Sequence, residues 1–176
     1  MKRNRLLSWS GILLGVLLLA AVLGFPDLDR RMAEAVTRQG TTLVNSKDYP
    51  GAIDHFSRAI EIDPKYAPAY HGRGAAYLNQ GVLDRAIADF SETIRLDPTD
   101  HQPPFHRGVA NARAGDYDRS LADLGEAIRL DPGNARAYLE RSRVHVKRGD
   151  DAQAKTDWQK AVVQDPSLGK PDVGNP

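Results

Sequence analysis

The sequence predicts an all-α protein, with four helix–turn–helix units of equal length behind one apolar helix. Three observations predict it. Asp-Pro stands at Asp63-Pro64, Asp97-Pro98, Asp131-Pro132 and Asp165-Pro166, each 34 residues from the next. Small and bulky residues recur in columns that keep register with those dipeptides. Residues 6–25 pass without a single charge.

The apolar run comes first along the chain. A basic head, 1–5, carries Lys2, Arg3 and Arg5. Twelve of the next twenty residues are Leu, Ile, Val or Phe. A helix of that length spans about 30 Å, the thickness of a hydrocarbon core. At ~0.3–0.6 kcal/mol per residue, those twelve favour insertion by roughly 4–7 kcal/mol. Trp9 lies near the basic end, at headgroup level, and Pro26 ends the run. A signal peptide has a shorter apolar region and a small-x-small exit; Val22 with Gly24 is the best available here. An uncleaved transmembrane anchor is therefore expected, with a cleaved, secreted form as the alternative. The positive head stays cytoplasmic, which would place the repeats outside the cytoplasm, in the periplasm of a bacterium.

Residues 26–32 read as a linker or helix extension, followed by repeats at 33–66, 67–100, 101–134 and 135–168. The tail, 169–176, reads as disordered. Within the repeats, one column reads Ile60, Ile94, Ile128, Val162 and another Phe56, Phe90, Leu124, Trp158. Two columns are small: Ala52, Ala86, Ser120, Ala154 and Gly40, Gly74, Gly108, Ser142. Small residues admit close helix packing, and the bulky column plugs the space between the helices. Proline cannot continue a helix and restricts the residue before it, so each Asp-Pro closes a second helix. Gly81, Gly115 and Gly149 stand at the ends of the first helices, where a left-handed conformation is needed. Asn45-Ser46-Lys47-Asp48 serves that turn in the first repeat.

These columns, this spacing and the terminal proline resemble the tetratricopeptide repeat, over 33–168. The resemblance implies a right-handed superhelical solenoid of antiparallel helix pairs, with first helices lining a concave face. The whole resembles a membrane-anchored tetratricopeptide protein of bacterial type. The fit has departures. The large aromatic near the start of the first helix is Tyr70 and Tyr138, but Val36 and Pro104 elsewhere, with Phe105 displaced by one. Pro103-Pro104 must then sit in a first turn. Gln164 replaces the apolar residues Ile62, Leu96 and Leu130, a change suited to a terminal repeat facing water.

Composition excludes several functions. The formal charge is +1, with +3 in residues 1–32 and about −2 in the rest. No basic stripe marks a nucleic-acid binder, so none is expected as partner. There is no cysteine, which removes disulfides, thiolate chemistry and lipoprotein anchoring. His55, His71, His101, His106 and His145 form no ligand-spaced pair, so no metal is expected. No phosphate loop or nucleophile motif is present, and no catalytic residue or cofactor is expected. The chain reads as a non-enzyme.

Function then rests on the groove. The family's inward positions correspond here to Thr37, Thr41 and Asn45; His71, Ala75 and Asn79; Phe105, Val109 and Arg113; and Arg136, Leu139, Arg143 and Lys147. The row runs from neutral and polar to basic. Thr37 and Thr41 replace the Lys and Asn that clamp heat-shock chaperone termini, which disfavours that partner. The expected function is a tethered scaffold that docks a protein or peptide, with acidic groups meeting Arg113, Arg143 and Lys147. No acid in these rows is expected to neutralise them. Arg73, Arg107 and Arg141 recur just before the small column and read as structural, paired with acids of the adjacent helix. An assembly subunit that forms a homo-oligomer through its last repeat is a further alternative.

Overall fold

The computed structural model describes residues 26–168 of the chain. Those residues form α1 (Pro26–Asn45), α2 (Tyr49–Ile62), α3 (Ala67–Gln80), α4 (Leu83–Leu96), α5 (Gln102–Ala114), α6 (Tyr117–Leu130), α7 (Ala135–Arg148) and α8 (Asp151–Gln164). Among the described residues there is no strand. Successive helices pair as α1/α2, α3/α4, α5/α6 and α7/α8.

The turns follow from local chemistry. Gly81, Gly115 and Gly149 adopt φ of 78°, 83° and 81° and release the chain from α3, α5 and α7. In the first repeat Lys47 carries this conformation at φ 63°. Each Asp before a proline is extended, with φ between −132° and −139°. Its carboxylate then accepts the backbone N–H two residues on, as Asp63 does from Lys65 at 2.9 Å and Asp97 from Thr99 at 3.0 Å. One dipeptide thus ends a helix and shapes the next turn. Pro103 and Pro104 sit in the first turn of α5, buried, and α5 begins one repeat position later than α3 or α7.

The bulky column meets the glycine column directly. A Cβ on Gly40 would lie 2.8 Å from the Phe56 ring, and one on Gly74 would lie 2.9 Å from Phe90. At Gly108 it would approach Leu124 to 2.8 Å. The glycines are therefore small to admit a side chain, more than to let two backbones touch. Phe56, Phe90 and Leu124 are fully buried, each contributing about 2–3 kcal/mol of burial. The core is a series of small clusters strung along the array, as stacking of neighbouring repeats requires.

Curvature is visible in which helices meet. The first helices α1, α3, α5 and α7 touch in succession, whereas no second helix touches another second helix. A stack joined along one edge and splayed along the other bends, with the joined edge inside. The concave wall is built from α1, α3, α5 and α7.

The single-pass localisation is corrected. Among the described residues no helix is long and apolar enough to cross a membrane. The longest, α1, has twenty residues, but Asp27, Asp29, Arg30, Arg31, Glu34 and Arg38 charge it. The run 6–25, the head 1–5 and the tail 169–176 lie outside the described residues.

Candidate functional site: the concave wall

Arginines fix the wall to the outer layer. Arg73 donates to Asp89 through Nε (2.9 Å) and Nη2 (2.8 Å). Arg107 does the same to Asp123 at 3.0 and 2.6 Å, and Arg141 to Asp157 at 2.7 and 2.7 Å. Planar guanidinium and carboxylate match in this two-pronged geometry. The remaining nitrogen reaches the preceding repeat: Arg73 Nη1 donates to Ser57 Oγ at 3.1 Å and Arg107 Nη1 to Ser91 Oγ at 2.9 Å. The Arg column is thus structural, as its recurrence suggested. In the first repeat Gln39 and His55 occupy the Arg and Asp positions, and His55 Nδ1 donates to the Gly51 carbonyl instead.

Asn45, Asn79, Arg113, Arg136, Arg143 and Lys147 are exposed. Asn79 Nδ2 donates to the Ala75 carbonyl at 2.8 Å, and Arg113 Nη1 to the Leu78 carbonyl at 3.2 Å. Arg143 is not free: it donates to Glu140 at 2.6 Å, three residues back on the same helix. That corrects the expectation of an unneutralised cation there. Lys147 has no partner among the described residues. Phe105 and Val109 are half-buried, and Val109 packs against the Leu78–Phe90 cluster.

Two of the expected inward residues lie deeper than expected. Thr37 is 8 % exposed and Leu139 9 %. Leu139 packs instead in a cluster with Tyr138, Ala161 and Leu168. Of the expected apolar contacts, Phe105 and Val109 remain partly open.

At the joint of the second and third repeats the structure places a pair that sequence spacing missed. His71 Nε2 and His106 Nδ1 lie 3.1 Å apart, and His106 Nδ1 also lies 3.0 Å from the Gln102 carbonyl. His106 stacks on Phe90 with ring centroids 5.5 Å apart. Burial pushes the His71 imidazole below its ordinary value, against a weaker pull from Asp100. Burial first, and His71 second, push His106 down to about 4. Both rings are therefore neutral near neutrality. The residues stand 35 apart, one repeat plus one, and that offset was the signal available in the sequence.

Between the third and fourth repeats the wall opens into a cavity of ≈370 Å³, where Phe105 and His106 face Asn134, Ala135 and Arg136. His101 Nε2 lies 3.6 Å from Asp131 Oδ2 on its edge. Among the described residues no group of three or more His, Cys, Asp or Glu could hold a metal ion.

A curved stack of helix pairs, stapled at a fixed interval and exposing one continuous inner wall, defines a helical-repeat binding protein. Residues 40–81, 67–100 and 107–168 match the tetratricopeptide repeat family, and these repeats belong to it. No curated protein matches the sequence significantly. Among solved structures, the crystal structure of MamA superposes with a TM-score of 0.73 at 21 % identity, over 77 % of this chain and 79 % of that one. The OM64 tetratricopeptide domain of Arabidopsis gives 0.64 at 23 %, over 66 % and 96 %. The first such domain of Spaghetti (RPAP3), bound to an HSP90 peptide, gives 0.67 at 19 %, over 68 % and 95 %. At these identities the likeness concerns the fold.

Proposed function

We propose that this protein is an interaction scaffold that docks an acidic protein segment along the concave wall. One observation carries the reading: in the last three repeats the inner helices are basic and the outer ones are slightly acidic. Helices α3, α5 and α7 hold eight Lys or Arg and a single acid, Glu140. Helices α4, α6 and α8 hold eight acids and six bases. Three of the inner arginines are consumed by buried Asp residues, Arg143 by Glu140, and Arg148 by Asp118 and Asp150. Arg113, Arg136 and Lys147 are left without a carboxylate partner within bonding distance, all towards the last repeats. Such donors favour a carboxylate-bearing segment and set its direction. The recorded peptide complex of a similarly folded domain supports a peptide as occupant. Thr37 is buried, so a clamp in the first repeat is not part of the reading.

Self-assembly through the last repeat is the weaker alternative. Lys155 stands where Ile53, Ile87 and Leu121 face the next repeat, and Gln164 where Ile62, Leu96 and Leu130 stand. Val163 is strongly exposed, but it stands where Glu61, Arg95 and Arg129 meet solvent in the other repeats, and so adds nothing to that face.

The test is capture by crosslinking with Arg113→Glu/Lys147→Glu beside the parent protein. Captured partners should be lost, and the parent's capture should weaken as salt rises. Retention of the same partners at the same salt response would refute the groove.

A further inference from the structure

We infer that the cavity between α5 and α7 receives an aromatic side chain of the docked segment, an anchor that fixes its register on the wall. The inference rests on the groove reading above and adds to it the residue that the partner must supply.

Three features point to a ring. The cavity measures ≈370 Å³, near the lower end of the ~300–1,000 Å³ that ligand pockets occupy, so it suits a side chain and not a helix. One side of its wall is aromatic. Phe105 meets His106 edge-on, with centroids 5.1 Å apart, and leaves part of its own surface open. His106 lies in the lining, stacked on Phe90 and beside His71, and is neutral near neutrality, so it offers an uncharged ring, not a cation. Offset and edge-to-face contacts are what such a wall rewards. The rim is polar, with Asn134, Gln102 and the His101–Asp131 pair. An aliphatic side chain would cover these groups without pairing them; a ring with a polar edge can reach them. Arg136 stands at the same rim and supplies a cation for the ring face or for an adjacent acid.

Location makes the pocket part of the groove. Phe105 and Arg136 lie on the inner helices, and Arg113, which has no carboxylate partner, lies two turns along α5. A segment seated by its ring here would lay its acidic flank towards Arg113 and Lys147. Buried aromatic anchors near charged rims carry most of the energy in interfaces of this kind.

The experiment is a selection of a random dodecapeptide library on the full chain, followed by affinity measurement on the enriched peptides. The expected peptides carry an aromatic residue beside acids. Ala135→Trp, which fills the cavity from the start of α7, should weaken them at least about tenfold. Phe105→Ala should weaken them without filling anything, and melting curves establish that both variants remain folded. Replacing the peptide's aromatic by Leu should cost the parent protein affinity and cost Ala135→Trp almost none. Peptides sensitive to Arg113→Glu/Lys147→Glu but indifferent to Ala135→Trp would overturn the anchor and leave the groove standing. No enrichment, or enrichment indifferent to every variant, would overturn the groove and the anchor with it. Equal binding of N-acetyl-tryptophanamide alone would make the cavity a small-molecule site, and would also overturn the inference.

Discussion

Arg107 grips Asp123 with two donors across the sixteen residues that separate them, and Asn111 Nδ2 donates to the same carboxylate at 2.9 Å. The pair repeats as Arg73–Asp89 and Arg141–Asp157, so one ion pair ties the two helices in each of the last three repeats. Asp123 is buried, and removing its charge would strand a half-buried guanidinium and a buried amide. Asp123→Asn should cost about 3 kcal/mol of unfolding free energy. Urea titration reads this directly, and a loss below ~0.5 kcal/mol would show that the pair only decorates the packing.

The third arginine lacks its second grip. Ser57 and Ser91 accept from Arg73 and Arg107, but the corresponding residue for Arg141 is Gly125. A Cβ there would lie 3.8 Å from Arg141 Nη1, close enough for a serine hydroxyl to bond. Gly125→Ser should stabilise the array by about 1–2 kcal/mol, from helix propensity plus a charge-assisted hydrogen bond. Gly125→Ala should recover only the propensity part. Because serine is the poorer helix former by about 0.5 kcal/mol, a serine variant that melts below the alanine one by that difference would exclude the bond.

Gly74 is closed on two sides. A Cβ would stand 2.9 Å from the Phe90 ring and 3.2 Å from the Asp89 side chain, which holds Arg73. Gly74→Leu should therefore cost on the order of 3 kcal/mol through overpacking and blur the cooperativity of unfolding. An unchanged denaturation profile would mean that α3 and α4 pair differently.

Much of this was legible because it is local. Proline, the residue before it and left-handed glycines impose backbone geometry whatever surrounds them, so Asp97-Pro98 and Gly81 mark helix ends from sequence alone. The Phe90–Gly74 contact was legible as two columns, though not as one contact, because a column shows that size is constrained without showing against what. Arg143–Glu140 is readable as an i,i+3 pair, although Glu140 lies outside the inward rows. His71–His106 and the cavity beside Phe105 depend on how neighbouring repeats are rotated. A repeat pattern averages over that rotation.

Ser120 is fully buried and its hydroxyl has no partner, in a column that is Ala52, Ala86 and Ala154 elsewhere. Burying an unpaired hydroxyl costs about 1–3 kcal/mol, and alanine fits the space. Ser120→Ala should raise stability by about 1 kcal/mol. Ser142, also buried, donates to the Ala154 carbonyl at 2.7 Å, so Ser142→Ala should lower it. Changes of the same sign at both positions would argue against the assigned partners.

The histidine pair gives the array an acid-sensitive joint. His106 sits at about 4 in the folded protein, against an ordinary value near 6.5, because burial and His71 both oppose its proton. The unfolded chain therefore binds more protons than the folded one between those values, and stability rises with pH there. The contribution is complete above about pH 6.5 and is lost as pH falls through about 4. Asp100 pulls the other way on both rings, and His101 adds to the repulsion on His106. Solvent that reaches the rings reduces the effect to about 2 kcal/mol over the window. His106→Phe keeps a ring against Phe90 and removes the proton. Its stability, measured by urea unfolding from pH 4 to 7.5, should lose most of the slope that the parent shows between pH 4 and 6.5. The parallel slopes that carboxylates contribute at the acid end should remain in both proteins. Identical pH profiles would show that the joint does not sense acid through this pair.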